Sequence, residues 1–247
     1  MPTTMISVPA PRFVLDEQAR RAAENLVIET DDPVDNPFSE RQQVLLTRTL
    51  YSSWVPPAVA ERQGPRLFWA AENVGVYADP YERPLVPDVF VALDVRAPAE
   101  GDNKAYFLWD YQKPPEAVIE IVSNREGNEL DSKLAIYSAW GVEYYVVFDP
   151  GRRVSRDQLH IFVLEGSEYR GQSSGFLPRL GIGLSIWRGT FENVPDTYLR
   201  WCDQNGTPLL TGDERSLQQS IRADKAENRA ERLAAKVREL GIDPDSI

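Results

Sequence analysis

The sequence is short of the residues that build disulfide and soft-metal chemistry. Cys202 is its only cysteine and His160 its only histidine. One cysteine excludes an intrachain disulfide and a cysteine-rich zinc site, and a lone histidine leaves no His pair for a metal. Any metal would be held mainly by carboxylates, which suits hard cations such as magnesium, manganese or calcium. No apolar run reaches the length of a membrane span. The opening MPTTMISVPAPRF lacks the basic and apolar regions of a secretory signal, so a cytoplasmic protein without a membrane contact is expected. No phosphate-cradling Gly-rich loop, serine-nucleophile elbow or zinc motif occurs. Positive charge is also scarce: 27 Lys and Arg against 38 Asp and Glu give a net charge of −11. That balance argues against a protein that coats nucleic acid, because phosphate binding needs clustered cations. It is compatible with an enzyme that meets nucleic acid at a local basic groove around a carboxylate-rich centre.

What remains is an ordinary globular composition, 42% hydrophobic and 26% charged over 247 residues, enough for one sizeable core. The chain divides into an N-terminal extension (1–36), a domain (37–205) and a linker with a helical tail (206–247). Residues 16–26 are helix-like. Ser39 reads as the N-cap of a helix over 40–51, whose apolar face is Leu45, Leu46 and Leu50. Residues 55–87 are rich in loop signals, with a strand or two near LFWAAENVGVY. Residues 89–95 (VFVALDV), 105–111 (AYFLWDY) and 116–122 are β-branched and aromatic, hence strands. A helix over 129–140 ends at Gly141, and a buried strand over 144–148 stops at Asp149-Pro150-Gly151. Residues 159–164, 168–171 and 183–187 read as later antiparallel strands. The order strand, helix, strand with short links predicts a βαβ unit in a mixed sheet, an α/β fold.

The tail is different in kind. Residues 213–240 contain no Gly or Pro, and Ala223, Ala226, Ala230, Leu233, Val237 and Leu240 recur at alternating spacings of three and four. This is a coiled-coil-like seam that packs on a partner, including a second copy in a homodimer, or back on the domain.

Within the domain one residue breaks the pattern. Glu120 lies among Val118, Ile119, Ile121 and Val122 in a strand that reads as buried on both faces. A lone buried carboxylate costs several kcal/mol unless it is paired or bound to a cation. Asp88, after Pro87 at the mouth of another strand, is the second carboxylate. Lys133 lies in the first turns of the following helix, with Tyr137 one turn further on the same face. If the two strands are neighbours, Asp88 and Glu120 converge on one divalent cation, which phosphodiester hydrolysis requires, and Lys133 assists the water or the transition state. The same residues also fit a structural ion pair between Glu120 and Lys133, with Asp88 a turn residue. Glu40 is a further candidate ligand or water holder, or simply a first-turn glutamate favoured by the helix dipole. Ser123 and Asn124 fit phosphate contact or a turn. Trp109, Trp187 and Trp201 fit base stacking or core, His160 a strand face, and Asp149 a turn.

The segments "VPDVFVALDV" and "PPEAVIEIVSNREGNELDSKLAIYSAWGVEYYVVFDP" resemble the Uma-type family of restriction endonucleases, within the restriction-endonuclease-like PD-(D/E)XK superfamily. The later "LGIGLSIWRGTFE", "LRWCDQNGTPLLTGDE" and "RLAAKVRELGIDP" resemble a subgroup of it with a C-terminal helical tail. The likeness spans residues 35–244 and implies a mixed sheet flanked by helices, with a magnesium-dependent (manganese-tolerant) nuclease site acting on DNA. Pro87-Asp88 matches the "PD" and Glu120 the acid of the second half-motif. Val122 occupies the usual lysine position, which places the lysine role on Lys133, with Tyr137 in support. Glu40 matches the superfamily's N-terminal helix glutamate. Asp94 stands where this subgroup implies a glycine. The rival expectation is a non-catalytic interaction protein that keeps the nuclease fold as a scaffold and works through its helical tail.

Overall fold

Alternating apolar residues on short strands create a sheet that must be covered on both faces, and the chain supplies a different cover for each. The computed structural model describes residues 14–24, 36–59, 64–99, 104–123, 132–239 and 243. In chain order its elements begin with α1 (Glu17–Ala23), α2 (Pro37–Ser53), β1 (Phe68–Glu72), β2 (Val76–Tyr77) and β3 (Val89–Leu93). They continue with β4 (Tyr106–Phe107), α3 (Leu108–Tyr111), β5 (Ala117–Ile121), α4 (Ser132–Trp140) and β6 (Tyr144–Phe148). The rest are β7 (Leu159–Glu165), β8 (Glu168–Gln172), β9 (Phe176–Leu177), β10 (Ile182–Phe191), β11 (Val194–Cys202) and α5 (Gly212–Glu239).

The main sheet has six strands in the order β1-β3-β5-β6-β7-β8. Only β5 and β6, joined through α4, are parallel; the other pairings are antiparallel. This is the βαβ unit expected from the sequence. Side-chain alternation splits the core in two. One face buries Val89, Val91, Ile119, Val146 and Phe148 against Leu46 and Leu50 of α2 and against Leu184, Leu199 and Trp201 of the second sheet, β11-β10-β9. The other face buries Phe90, Val118, Tyr145 and Val147 against Tyr137 of α4 and a surround that includes Trp69 and Tyr106.

Three expectations are corrected. Helix α2 starts at Pro37, with Asn36 as its cap: the Asn36 Oδ1 accepts the N–H groups of Phe38 and Ser39. Proline has no N–H to lose and a pre-set φ, so it fixes the first helical position ahead of Ser39. Ser39 is buried inside the first turn and accepts from Asn36 Nδ2 at 3.1 Å. The 105–111 stretch is not one strand. Only Tyr106–Phe107 pairs, in parallel with β2, and Leu108–Tyr111 then turns into α3. That turn stacks Tyr111 on Tyr106 at 4.5 Å between ring centroids, a packing gain that overrides β-propensity. Finally, the strand expected at 183–187 is one arm of a hairpin that runs to Phe191 and returns as β11. Glu192 and Asn193, with φ of 48° and 63°, form its two-residue turn.

Asp94 has φ of 60°, the left-handed conformation that glycine adopts without cost, and its carboxylate pairs with Arg66 at 2.7 Å. The tail is helical as expected from Gly212 to Glu239, and none of its side chains is buried. Residues 129–131 of the expected α4 and Leu240 of the seam lie outside the described residues. Among the described residues no helix is long and apolar enough to cross a membrane.

Candidate metal centre

The β3–β5 ladder closes at Val89 opposite Ile119, so Asp88, one step beyond, stands across from Glu120. Alternation sends Glu120 toward the face covered by α4, and Asp88, at the mouth of β3, is close enough for its charge to act on Glu120 and Tyr137. Helix α4 meets them with Lys133 and Tyr137, four residues apart on one side. Lys133 Nζ donates to Glu120 Oε2 at 2.8 Å, and the Tyr137 hydroxyl donates to Oε1 at 2.9 Å. Glu120 is only 2% exposed. Its strand position, its burial and its helix partners are therefore one arrangement.

Asp88 is held from two other directions. Because the ladder has ended, the Ile121 N–H has no β3 carbonyl opposite it, and it donates to Asp88 Oδ2 at 2.6 Å. Gln43 of α2 donates through Nε2 to Asp88 Oδ1 at 2.7 Å, and its own Oε1 accepts from Asn73 Nδ2 at 2.9 Å. Gln43 and Asn73 were not among the residues expected from the sequence. The available signal was the buried face of α2: Gln43 shares it with Leu46 and Leu50, and a polar residue in that phase needs a partner inside.

The surroundings work against an ionised Glu120. Burial, then the nearby Asp88 charge, push the Glu120 carboxyl up to about 7, while Lys133 and the Tyr137 hydroxyl pull against them. Burial and the adjacent Glu120 carboxylate push the Tyr137 hydroxyl well above the ordinary phenol range, so it stays a donor. Among the described residues the cluster holds two carboxylates and the Lys133 ammonium. This donor set fits a hard divalent cation: Glu120 accepts two hydrogen bonds where a carboxylate offers about four acceptor positions. A magnesium ion commonly uses one or two carboxylates and completes its shell with water and phosphate oxygens. Among the described residues no three His, Cys, Asp or Glu side chains cluster as a metal cage.

The other candidates are placed as follows. Glu40 is in the first turn of α2, exposed, and makes no hydrogen bond or ion pair through its side chain among the described residues. The α2 residue that touches the cluster is Gln43, one turn further on. Ser123 is exposed, and Asn124 lies outside the described residues. Trp201 is core, with its indole N–H on the Leu46 carbonyl, Trp187 lies beneath Arg200, and Trp109 stacks on Phe107. His160 bonds Ser155 Oγ at 2.6 Å, and Asp149 is a buried turn residue accepting the N–H groups of Arg153 and Val154.

A mixed sheet flanked by helices, with an acid at a strand mouth facing an acid inside the neighbouring strand, defines a restriction-endonuclease-like protein. The family model Uma2, described as "Putative restriction endonuclease", matches residues 18–182, and the chain belongs to that family. No curated protein matches the chain. The match takes in Asp88, Glu120, Lys133, Tyr137 and Gln43, while β11 and α5 lie beyond it.

Proposed function

We propose that the protein is a metal-dependent endonuclease that hydrolyses DNA phosphodiester bonds, with Asp88 and Glu120 holding Mg²⁺, or Mn²⁺ in its place. The observation that carries this reading is Glu120: a carboxylate 2% exposed, with a second carboxylate close enough for its charge to raise its pKa, and with acceptor positions left beyond its bonds to Lys133 and Tyr137. A divalent cation there would polarise the scissile phosphate and make a water more acidic. The chain's own residues do the rest. Gln43 and the Ile121 N–H fix the Asp88 carboxylate, and Tyr137 fixes the rotamer of Glu120. Lys133, whose side chain is 24% exposed, reaches from Glu120 toward solvent, where its ammonium orients the attacking water and offsets charge on the phosphate. Lys133 thereby takes, from a helix, the role denied to Val122 on the strand. The test is DNA cleavage with Mg²⁺ or Mn²⁺ by wild type, Glu120→Ala and Lys133→Ala. Loss in both variants supports the reading, and equal activity in all three removes it.

A second reading has its own support. The acidic pair lacks a third ligand among the described residues, and the net charge of −11 opposes DNA. On that reading the fold is a non-catalytic scaffold, and Mg²⁺ titration finds no site that Asp88→Asn abolishes.

A further inference from the structure

The charges on α5 are sorted by sign. At about 100° per residue, Arg222, Lys225, Arg229, Arg232 and Lys236 fall along one side, and Asp224, Glu227 and Glu231 along the opposite side. Between Arg222 and Lys236, every pair of charged residues three or four apart is therefore like-signed, as in Lys225–Arg229 and Glu227–Glu231. A solvated solitary helix gains from opposite pairs at this spacing and loses stability with each like pair. The domain offers no compensation. The helix buries none of its 28 residues, and among the described residues no ion pair engages a charged side chain from Arg222 to Lys236.

The base of the helix, by contrast, is firmly held. Arg200, 4% exposed, lies over the Trp187 ring at 4.7 Å and bonds both Glu214 oxygens, at 2.9 and 2.7 Å. The Thr211 hydroxyl accepts the Glu214 N–H at 3.2 Å. Arg215 bonds the Ser52 carbonyl, and Arg215, Gln218, Gln219 and Arg222 line a shallow groove with Ser53, Val55 and Leu210. The domain thus presents α5 as an anchored arm whose outer face beyond Arg222 is exposed along the seam from Ala223 to Leu233.

That face has the composition of one half of an interface. Ala223, Ala226, Ala230, Leu233 and Val237 occupy successive a and d positions of a heptad, and Leu233 is 55% exposed. The g positions beside the seam are Arg215, Arg222, Arg229 and Lys236, and the e positions on its other side are Asp213, Ser220, Glu227 and Ala234. In a parallel pair each g residue faces the e residue of the next heptad across the axis, so Arg222 meets Glu227 of the partner subunit on both sides. No g–e pairing there is like-charged. In an antiparallel pair g faces g, and Arg222, Arg229 and Lys236 would line up against cations.

We propose that α5 pairs with α5 of a second copy of this chain as a parallel two-stranded coiled coil. The pairing holds both domains at the same end of the coil, and it stands whether or not the metal centre cleaves DNA. The alanine-rich seam makes it a weak, concentration-dependent dimer. Sedimentation equilibrium of the full chain across the micromolar range tests it, with exposed substitutions that leave the domain folded. Wild type reaches twice the chain mass, and Leu233→Asp stays monomeric. Arg222→Glu weakens the dimer by about tenfold, and adding Glu227→Arg restores it. Orientation is read from Gln219→Cys, a d position: on oxidation it links two chains only when they run parallel, and the native Cys202 is buried. A monomer at every concentration, a dimer indifferent to Leu233→Asp, or a dimer in which Gln219→Cys forms no link overturns the proposal. So does a chain that stays monomeric and binds duplex DNA through the Arg229 side.

Discussion

Strand β5 is flanked and occupied by two buried glutamates of nearly equal exposure, and they are treated oppositely. Glu116, 4% exposed, stands just before the strand's first residue. It accepts the Leu93 N–H at 2.7 Å, pairs with Lys113 and has Arg179 at 3.5 Å, so two cations and a backbone donor surround one carboxylate. Glu120, near the other end, has one ammonium and a phenol, and it faces Asp88. Same residue type and similar burial, at the two ends of one strand: among the described residues what differs is the company, two cations and a backbone donor at Glu116 against one ammonium, a phenol and a nearby carboxylate at Glu120. A structural carboxylate is ringed by donors of its own chain, whereas a carboxylate suited to a cation sits beside a second one and keeps acceptor positions to spare.

Substitutions at the two ends break this comparison in different currencies. The largest effect falls on catalysis. Glu120→Gln lowers Mg²⁺-dependent DNA cleavage by roughly 10³-fold, several kcal/mol of lost charge stabilisation, while Glu116→Gln assayed under folding conditions retains the Mg²⁺ dependence. Next comes stability. Glu116→Ala leaves Lys113 and the Leu93 N–H without their buried partner and lowers the unfolding free energy by about 3–5 kcal/mol in denaturant titration. Glu120→Gln in metal-free protein at neutral pH costs far less, because burial has already raised this carboxyl to about 7.

The pH dependence sharpens the same contrast. Glu120 titrates near 4.5 when unfolded and at about 7 when folded, so between those values the folded state binds more protons. Its contribution is fully present below the unfolded value and is lost as pH rises through the folded one. Metal-free wild type therefore loses on the order of 3 kcal/mol between pH 4.5 and 7.5 relative to Glu120→Gln, measured by urea titration at each pH. A wild type that gains stability over that interval relative to the variant contradicts the account. The smallest effect belongs to Gln43→Ala, which loosens Asp88 without touching substrate and weakens metal affinity about 10- to 100-fold.

Much of this was legible in the sequence because burial and charge conflict locally. Glu120 among Val118, Ile119, Ile121 and Val122 announced a carboxylate that needs a partner, and the helix phase placed Lys133 and Tyr137 on one side. The strand–helix–strand unit followed from periodicity and short links. What was not legible depended on contacts distant in sequence. Gln43 reaches Asp88 across 45 residues, and nothing local to either residue states that pairing. The 105–111 stretch has strand composition, yet the stacking of Tyr106 on Tyr111 decides its shape. Strand β11 escaped because only its second half is buried, so its first residues lack a clean alternation. Asn36-Pro37 was a readable helix start, overshadowed by the serine three residues after the asparagine.

Asp88 and Glu120, on this reading, together form one cation site. Calorimetric titration of Mg²⁺ into the full chain at neutral pH, repeated in buffers of different ionisation enthalpy, tests it most directly. The account predicts one site, lost in Asp88→Asn and in Glu120→Gln, with protons released on binding because Glu120 is partly protonated beforehand. A site that survives both substitutions, or no site in the wild type, contradicts it.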